Sequence, residues 1–423
     1  MIPNSPIRAD RIAADIDALA AITEPDRPWT RRAFTPMFLE GRAWLEQAMQ
    51  GAGAVSQVDH AGNLVGVVPG KRPELGSIMI GSHSDTVPDG GRFDGIAGVV
   101  AALEVARALR DRGVVLDHTL EVVDFLAEEV SVFGVSCIGS RGMSGTRPAE
   151  WLARMHDGVT LERTIAQVGG VPHALAQRDD IKAFLELHIE QGPVLQNEQL
   201  DVGVVTAIAG ITRIEISVEG RADHAGTTPM SARKDALTTA AWIALGVEEL
   251  GKALAAGDAH FAATVGEFEM TPNAANVVPA RVRMLIDARA ELRDDMERFI
   301  DELGKGVAGI AEKTGVTVEA LRIVSDNQPT PCDPDLLTVL DAACESAGAR
   351  YRRMASGAGH DTAWMARITK AAMIFVPCKD GRSHAPDEFA TTEDIALGAQ
   401  VLLDAVIALD AQLQETGNGP DSD

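Results

Sequence analysis

An α/β fold with a mostly parallel sheet, interrupted by an inserted α+β segment, is what this sequence predicts. Three observations carry that reading. Short apolar runs alternate with helical patterns through the first half, the texture changes to period-two alternation near Gly210, and helix–strand alternation resumes after Gln328-Pro-Thr-Pro331. At 423 residues the chain is long enough for two or three domains. Hydrophobic residues make up 46% but aromatics only 4%, so its cores must be filled largely by Ala, Val, Leu and Ile.

Taken in order, Ser77–Gly81 reads as a buried strand, followed by a glycine-rich turn and a helix over 98–110. The apolar runs Thr119–Ala127 and Ala183–Ile189 are further strands. From Gly210 onward, Thr212–Gly220 alternates polar and apolar residues as a strand with one exposed face does. A helical pattern over 234–254, strands at 262–268 and 282–288, a helix over 294–313 and a strand over 316–323 complete a strand–helix–strand–strand–helix–strand order. The exposed edge of such a sheet can pair with another chain. Beyond residue 331 come a helix over 334–347, a strand over 372–376 and a final helix over 392–413.

The formal net charge of -24 argues against nucleic acid or an anionic membrane as partner, since both demand a basic footprint. Cys137, Cys332, Cys344 and Cys378 show no C-x-x-C spacing, so neither a thiolate metal site nor a disulfide framework is expected. No apolar run is long enough to span a bilayer, and Met1–Asp10 lacks the apolar core of a signal peptide. A cytoplasmic protein is expected, with a frayed polar tail from Gln414 to Asp423.

Metal-binding side chains gather where the predicted strands end, the place where open α/β sheets bind ligands. His83 and Asp85 lie in Gly81-Ser-His-Ser-Asp85, spaced so that the carboxylate can accept from the far ring nitrogen of the histidine and set its tautomer. Asp94 follows within Gly90-Gly-Arg-Phe-Asp-Gly95 and can bridge two ions. Glu128 and Glu129 end an apolar strand and can divide the work of metal ligand and general base. His188 sits in Glu186-Leu-His-Ile-Glu-Gln-Gly192, and His384 in Gly381-Arg-Ser-His-Ala-Pro-Asp-Glu388. Singly, each has a plainer reading: an N-cap aspartate, solvated glutamates, a core histidine, a loop histidine. Together, at strand termini, they suggest a dinuclear site with an open water position. Nitrogen and oxygen donors without thiolate suit Zn²⁺, Mn²⁺, Co²⁺ or Ni²⁺.

At these residues the sequence resembles the M20 metallohydrolase superfamily, and within it the hydantoinase/carbamoylase branch of N-carbamoyl-L-amino-acid hydrolases, β-ureidopropionases and allantoate amidohydrolases. The segments that carry the resemblance are GSHSDTVPDGGRFDG at 81–95, FLELHIEQGPVL at 184–195, DHAGTTPM at 223–230, SGAGHDT at 356–362 and SHAPDEF at 383–389. The resemblance implies one metal held by His83, Asp94 and His188, and a second by Asp94, Glu129 and His384. It makes Glu128 the general base, with Asp85 beside it in the catalytic set. His224 would stabilise the oxyanion, reaching the site of a partner subunit across a homodimer interface. Asn276 and Arg289 would hold the substrate carboxylate, and an arginine fork matches that group on chemical grounds as well. Gln191, His360 and position 358 (Ala358, between Gly357 and Gly359) match further substrate contacts. On this reading residues 1–210 and 330–423 form the catalytic unit and 211–329 a ferredoxin-like dimerisation unit. The expected reaction cleaves the C–N bond of an N-carbamoyl-L-amino acid to amino acid, carbon dioxide and ammonia, with allantoate or another N-substituted amino acid as alternative substrate.

One departure stands out. The branch carries a Gly-Ser-Arg-Phe-like run after the paired glutamates, where this chain has Val130-Ser-Val-Phe133 and then the less familiar Gly134-Val-Ser-Cys-Ile-Gly139. Substrate choice is therefore less readable than metal binding. Among other readings, Ser231-Ala-Arg-Lys234 matches the S-x-x-K pattern of serine amidases, but no G-x-S-x-G elbow accompanies it. A non-catalytic ligand-binding protein on a hydrolase scaffold should have lost a ligand or the base, and none is lost. An exopeptidase fits the LHIEQG and DHAGTTPM segments poorly.

Overall fold

The computed structural model describes residues 5–174 and 177–417, with two compact units. Among the described residues, the first comprises those up to 206, 332–354 and those from 360 on, and the second 207–331 with 355–359. Of the polar tail, Gln414 to Gly417 continue the last helix, Thr392–Gly417, and the remainder lies outside the described residues, as do residues 1–4 of the N-terminal segment.

The first unit is built on a sheet in the order Val55–Val58, Leu64–Val68, Thr119–Phe125, Ser77–His83, Ile181–Ile189, Lys370–Val376 and Val202–Ile208, with Tyr351–Ser356 also on Val202–Ile208. The four central strands run parallel to one another, whereas Val55–Val58, Leu64–Val68 and Val202–Ile208 pair antiparallel with their neighbours in that order. The sheet is thus mixed rather than mostly parallel. The outer strands carry turn residues or short apolar runs whose direction no local pattern encodes, whereas the central ones read as the continuous apolar runs of strands buried on both faces. Ser77–His83 is buried throughout, and so is Ile181–Ile189 apart from Lys182.

The helix Ile96–Asp111 packs against three of these central strands and against Thr392–Gly417. It can lie that close because Gly98 has no side chain: a Cβ there would stand 2.1 Å from the Leu187 carbonyl oxygen and 2.6 Å from the Ser82 side chain. Two helices at the start of the chain, Ala9–Ala21 and Pro36–Gly51, have no counterpart in the sequence reading. Thr35 caps the second, its hydroxyl accepting from the Phe38 N–H, with Pro36 in the first turn.

The second unit has a sheet in the order Phe261–Thr271, Arg281–Ala290, Gly210–Glu219, followed by Thr317–Val318 and Arg322–Asp326. With the helices Ala236–Ala255 and Arg293–Thr314, this is the antiparallel split βαβ arrangement. The strand expected over 316–323 is instead two short pieces. Burial alternates residue by residue along Gly210–Glu219 and Arg281–Ala290. One face therefore supplies Ile214, Ile216, Met284 and Ile286 to a core shared with Ile243 and Phe299 of the helices. Phe261–Thr271 is an edge strand, largely exposed.

Candidate functional site

Five predicted metal-binding side chains converge in the first unit. His83 ends its strand and His188 lies near the end of the parallel strand Ile181–Ile189. Asp94 sits on the turn before helix Ile96–Asp111, Glu129 follows strand Thr119–Phe125, and His384 lies on the loop after Lys370–Val376. Parallel strands deliver their C-terminal ends to one side of the sheet, so residues hundreds of positions apart meet there. Gly95, at φ +67°, leaves room for His83: a Cβ would lie 2.4 Å from the imidazole.

Asp94 is the hinge of the arrangement. Its Oδ1 lies 3.2 Å from His188 Nε2 and 3.6 Å from His83 Nε2, while its Oδ2 lies 3.3 Å from His384 Nε2. His384 Nε2 is also 3.1 Å from Glu129 Oε1. The donor atoms of His83, Asp94 and His188 lie within 4.8 Å of one another, as do those of Asp94, Glu129 and His384. Glu128 Oε2 stands 3.7 Å from His83 Nε2. All but His384 are buried; its side chain is 49% exposed, which opens the site on that side.

The donor set fits a divalent cation. Nδ1–H of His188 donates to the Ile189 carbonyl at 2.9 Å, and its Nε2 accepts from the Gly95 N–H at 3.2 Å. Nδ1–H of His83 likewise donates to the Asp85 carbonyl at 3.1 Å. Both Nε2 atoms thus stand within 3.6 Å of Asp94 Oδ1 with the ring N–H turned to a backbone carbonyl, an arrangement that suits a positive charge beside them. The electrostatics agree. Burial works to lower the His83 pKa, yet Glu128, Asp85, Asp94 and Glu129 raise it well above the ordinary value. Hydrogen bonds to Asp94 and Glu129 lift His384 to about 10. Burial also opposes ionisation of Asp94, but the hydrogen bonds and charges of the histidines hold its carboxyl well below the usual range. Burial pushes Glu128 well above it, against the pull of His83 and with Glu129, Asp361 and Asp85 adding to the rise. A cation here supplies the charge that the histidines otherwise gather by holding protons.

The sequence profile of peptidase family M20/M25/M40 matches residues 79–408. The N-carbamoyl-L-amino-acid amidohydrolase of Paenarthrobacter aurescens is 37% identical over 412 residues, 95% of this chain and 98% of the relative. The chain belongs to peptidase family M20/M25/M40. The allantoate amidohydrolase of Bacillus subtilis (strain 168) is 34% identical over 388 residues, covering 90% of this chain and 92% of that protein. The solved structure of a hydantoinase/carbamoylase-family amidase from Burkholderia multivorans matches with a TM-score of 0.90 at 35% identity, over 96% of this chain and 98% of that one. As an M20 member of the hydantoinase/carbamoylase branch, this chain is an amidohydrolase.

Within this M20 site, Asp85 differs from its expected part. The oxygen nearest His83 Nδ1 is its backbone carbonyl, the carboxylate being 3.6 Å away. Its two carboxylate oxygens accept instead from the Glu128 and Glu129 N–H groups, each at 3.2 Å, because the pair of glutamates turns back over the end of its strand. Burial raises the Asp85 carboxyl to about 7. Gln191 donates to Asp94 Oδ2 at 2.7 Å, and its Oε1 is buried without a hydrogen-bond partner. The His360 ring stacks edge-on to His188 at 4.7 Å, and burial holds it well below the ordinary histidine range, hence neutral. Val132 packs with the apolar cluster of Ala33, Phe38 and Phe133.

His224, Asn276, Arg289 and Ala358 lie in the second unit. His224 and Asn276 are exposed neighbours, joined by an Ala225 N–H to Asn276 carbonyl bond of 3.0 Å. His224 Nδ1 accepts from the Gly226 and Thr227 N–H groups at 3.0 and 3.2 Å, which places the ring proton on Nε2. Arg289 donates through Nε to Asp287 at 2.8 Å and through Nη1 to the Gly357 carbonyl, next to Ala358, at 2.7 Å. Sequence reasoning missed the buried carboxylates around the cage: Glu186, which accepts from Ser82 and Thr362; Asp361, which accepts from Ser140; and Glu388. The first lies inside a quoted motif, as do the other two, yet nothing local distinguishes them from surface acids.

Proposed function

We propose that the chain removes the carbamoyl group of an N-carbamoyl-L-amino acid, releasing amino acid, carbon dioxide and ammonia, with two divalent ions per subunit. The observation that carries this reading is Asp94, which turns one oxygen to His83 and His188 and the other to His384. His83, His188 and Asp94 would hold one ion, and Asp94, Glu129 and His384 the other, with Zn²⁺, Mn²⁺, Co²⁺ and Ni²⁺ all suited to these donors. Bound there, such ions would supply Lewis-acid chemistry, lowering the pKa of water and polarising the scissile carbonyl. Glu128 takes the proton of the attacking water and returns it to the leaving nitrogen. Its buried position beside His83 and the tether of its N–H to Asp85 support that role.

On this reading, Gln191 Oε1 and neutral His360 orient the ureido group. Arg289 and Asn276 hold the substrate carboxylate beside position 358, and the Nε2–H of His224 donates to the developing oxyanion. The second unit is then the dimerisation unit, with His224 serving the site of a second copy. Its exposed edge strand Phe261–Thr271 supports pairing of that kind. We place the enzyme in the cytoplasm, where four buried, unpaired cysteines are at home. Among the described residues no helix is long and apolar enough to cross a membrane.

The test is ammonia release from N-carbamoyl-L-amino acids, N-carbamoyl-β-alanine and allantoate by metal-depleted protein, with and without Mn²⁺, Co²⁺, Ni²⁺ or Zn²⁺. Metal-dependent turnover of a carbamoyl amino acid is the expected result. Turnover of allantoate alone would move the assignment to the relative from Bacillus subtilis, and turnover indifferent to metal would end the two-ion reading.

A further inference from the structure

The acidic side chain of Glu388 is only 2% exposed. Its Oε1 accepts from the Phe93 N–H at 2.8 Å and the Asp94 N–H at 3.0 Å. Its Oε2 accepts from the Ser383 hydroxyl at 2.8 Å, and that hydroxyl also lies 2.6 Å from Asp94 Oδ2. Asp94 and His384 come from turns 290 positions apart in sequence, and this one carboxylate touches both turns. Phe93 and Phe389 meet edge-on at 5.6 Å beside it, bringing apolar surface to the same junction. Opposite stands Gly91. A Cβ on Gly91 would fall 1.9 Å from Glu388 Oε1, although its φ is not in the left-handed region that favours glycine.

We infer that Glu388 is the positioning residue of the metal cage, a clamp that sets Asp94 and His384 at their mutual distance, and that Gly91 is glycine to admit it. The inference rests on reading Asp94 and His384 as ligands. Two buried backbone N–H groups converging on one carboxylate oxygen fix the peptide that carries Asp94, and the Ser383 hydroxyl couples the His384 turn to the same point. Asp85 does the corresponding work for Glu128 and Glu129, so each carboxylate-bearing turn of the cage is held by a buried acid on its backbone amides. Groups of this kind, one bond behind the ligands, govern affinity as well as orientation.

Four variants of the full chain test it: Glu388→Ala, Glu388→Gln, Gly91→Ala, and the Gly91→Ala/Glu388→Ala pair. Metal-depleted protein is titrated with Mn²⁺ alone, free Mn²⁺ being read by its paramagnetic resonance signal, alongside kcat and KM. Glu388→Ala should weaken Mn²⁺ binding by about 10–100-fold and lower kcat more than it changes KM. Glu388→Gln keeps an acceptor for both N–H groups and a donor for Ser383, so it should stay within about 3-fold of wild type. Gly91→Ala should resemble Glu388→Ala, and the pair should be no worse than either alone, because the alanine at 91 no longer meets a carboxylate. Wild-type affinity in Glu388→Ala, or effects that multiply in the pair, overturns the clamp. Wild-type protein that binds no Mn²⁺, Zn²⁺, Co²⁺ or Ni²⁺ overturns the metal reading itself. Should circular dichroism show Glu388→Ala unfolded, Ser383→Ala takes its place: it leaves both N–H groups capped and must still weaken Mn²⁺ binding for the inference to stand.

Discussion

At the scale of single residues, roles here follow from what each atom faces. Glu128 is buried among carboxylates and one histidine, and only its charged form can take a proton. Glu128→Gln keeps shape and removes the base, so kcat should fall by about 10²–10⁴-fold while metal content is unchanged. A variant that loses its metal together with its activity would assign Glu128 to the cage instead. Arg289 is held by Asp287 and the Gly357 carbonyl, both through fixed edges of its planar group. A lysine cannot reproduce that geometry, and Arg289→Lys should raise KM by about 10-fold or more with kcat nearly kept. Unchanged KM would take Arg289 out of substrate binding. His83, Glu129 and His188 could be proposed as ligands because a polar group in or closing an apolar run is conspicuous, whereas Asp94 and His384 lie in glycine-bearing turns beyond such runs. The partner of Asp85 was not readable, since its carboxylate caps amides that follow 43 and 44 residues later in the chain.

At the scale of elements, the central strands and long helices follow from hydrophobic period, and small residues decide how closely they approach. Gly98→Ala drives a methyl into the Leu187 carbonyl, in a core with no slack on either side of the helix. It should cost on the order of 2 kcal/mol or more, read as a lowered denaturation midpoint. The last helix is fastened by Asp410, whose carboxylate accepts from the Asp117 N–H, the His118 N–H and His118 Nδ1 at 2.8–3.0 Å. Burial opposes ionisation of Asp410, but those donors hold its pKa below the ordinary 3.8. A carboxyl depressed in the folded state contributes stability above its unfolded pKa, and the contribution disappears as pH falls through the folded value. Asp410→Asn should therefore destabilise the protein by about 1–3 kcal/mol at neutral pH, with the gap from wild type closing at strongly acid pH. A gap independent of pH would mean that packing, not charge, is lost. The helices before residue 52 escaped the sequence reading because their burial rests on tertiary partners in the last helix and the first strands.

At the scale of the whole molecule, two compact units share one chain, and the proposed ligands all belong to the first. Ions that bind only the folded state add about 2.7 kcal/mol when present at 100 times their dissociation constant. Chelation should thus lower the calorimetric transition of the first unit and leave that of the second in place, with recovery on adding Mn²⁺. Equal shifts in both transitions would show that the units unfold together. The sequence by itself determined the core strands and the change of texture near Gly210, and it put forward the five proposed ligand side chains, because hydrophobic period and strand-end position are local properties of a chain. Tertiary structure alone decided the mixed direction of the sheet, which Asp94 oxygen faces His83 and His188 and which faces His384, and the carboxylates of Asp85 and Glu388 behind the proposed ligands. Those depend on which distant backbone amides reach a buried acid, and desolvation makes that pairing obligatory only once the chain has folded around it.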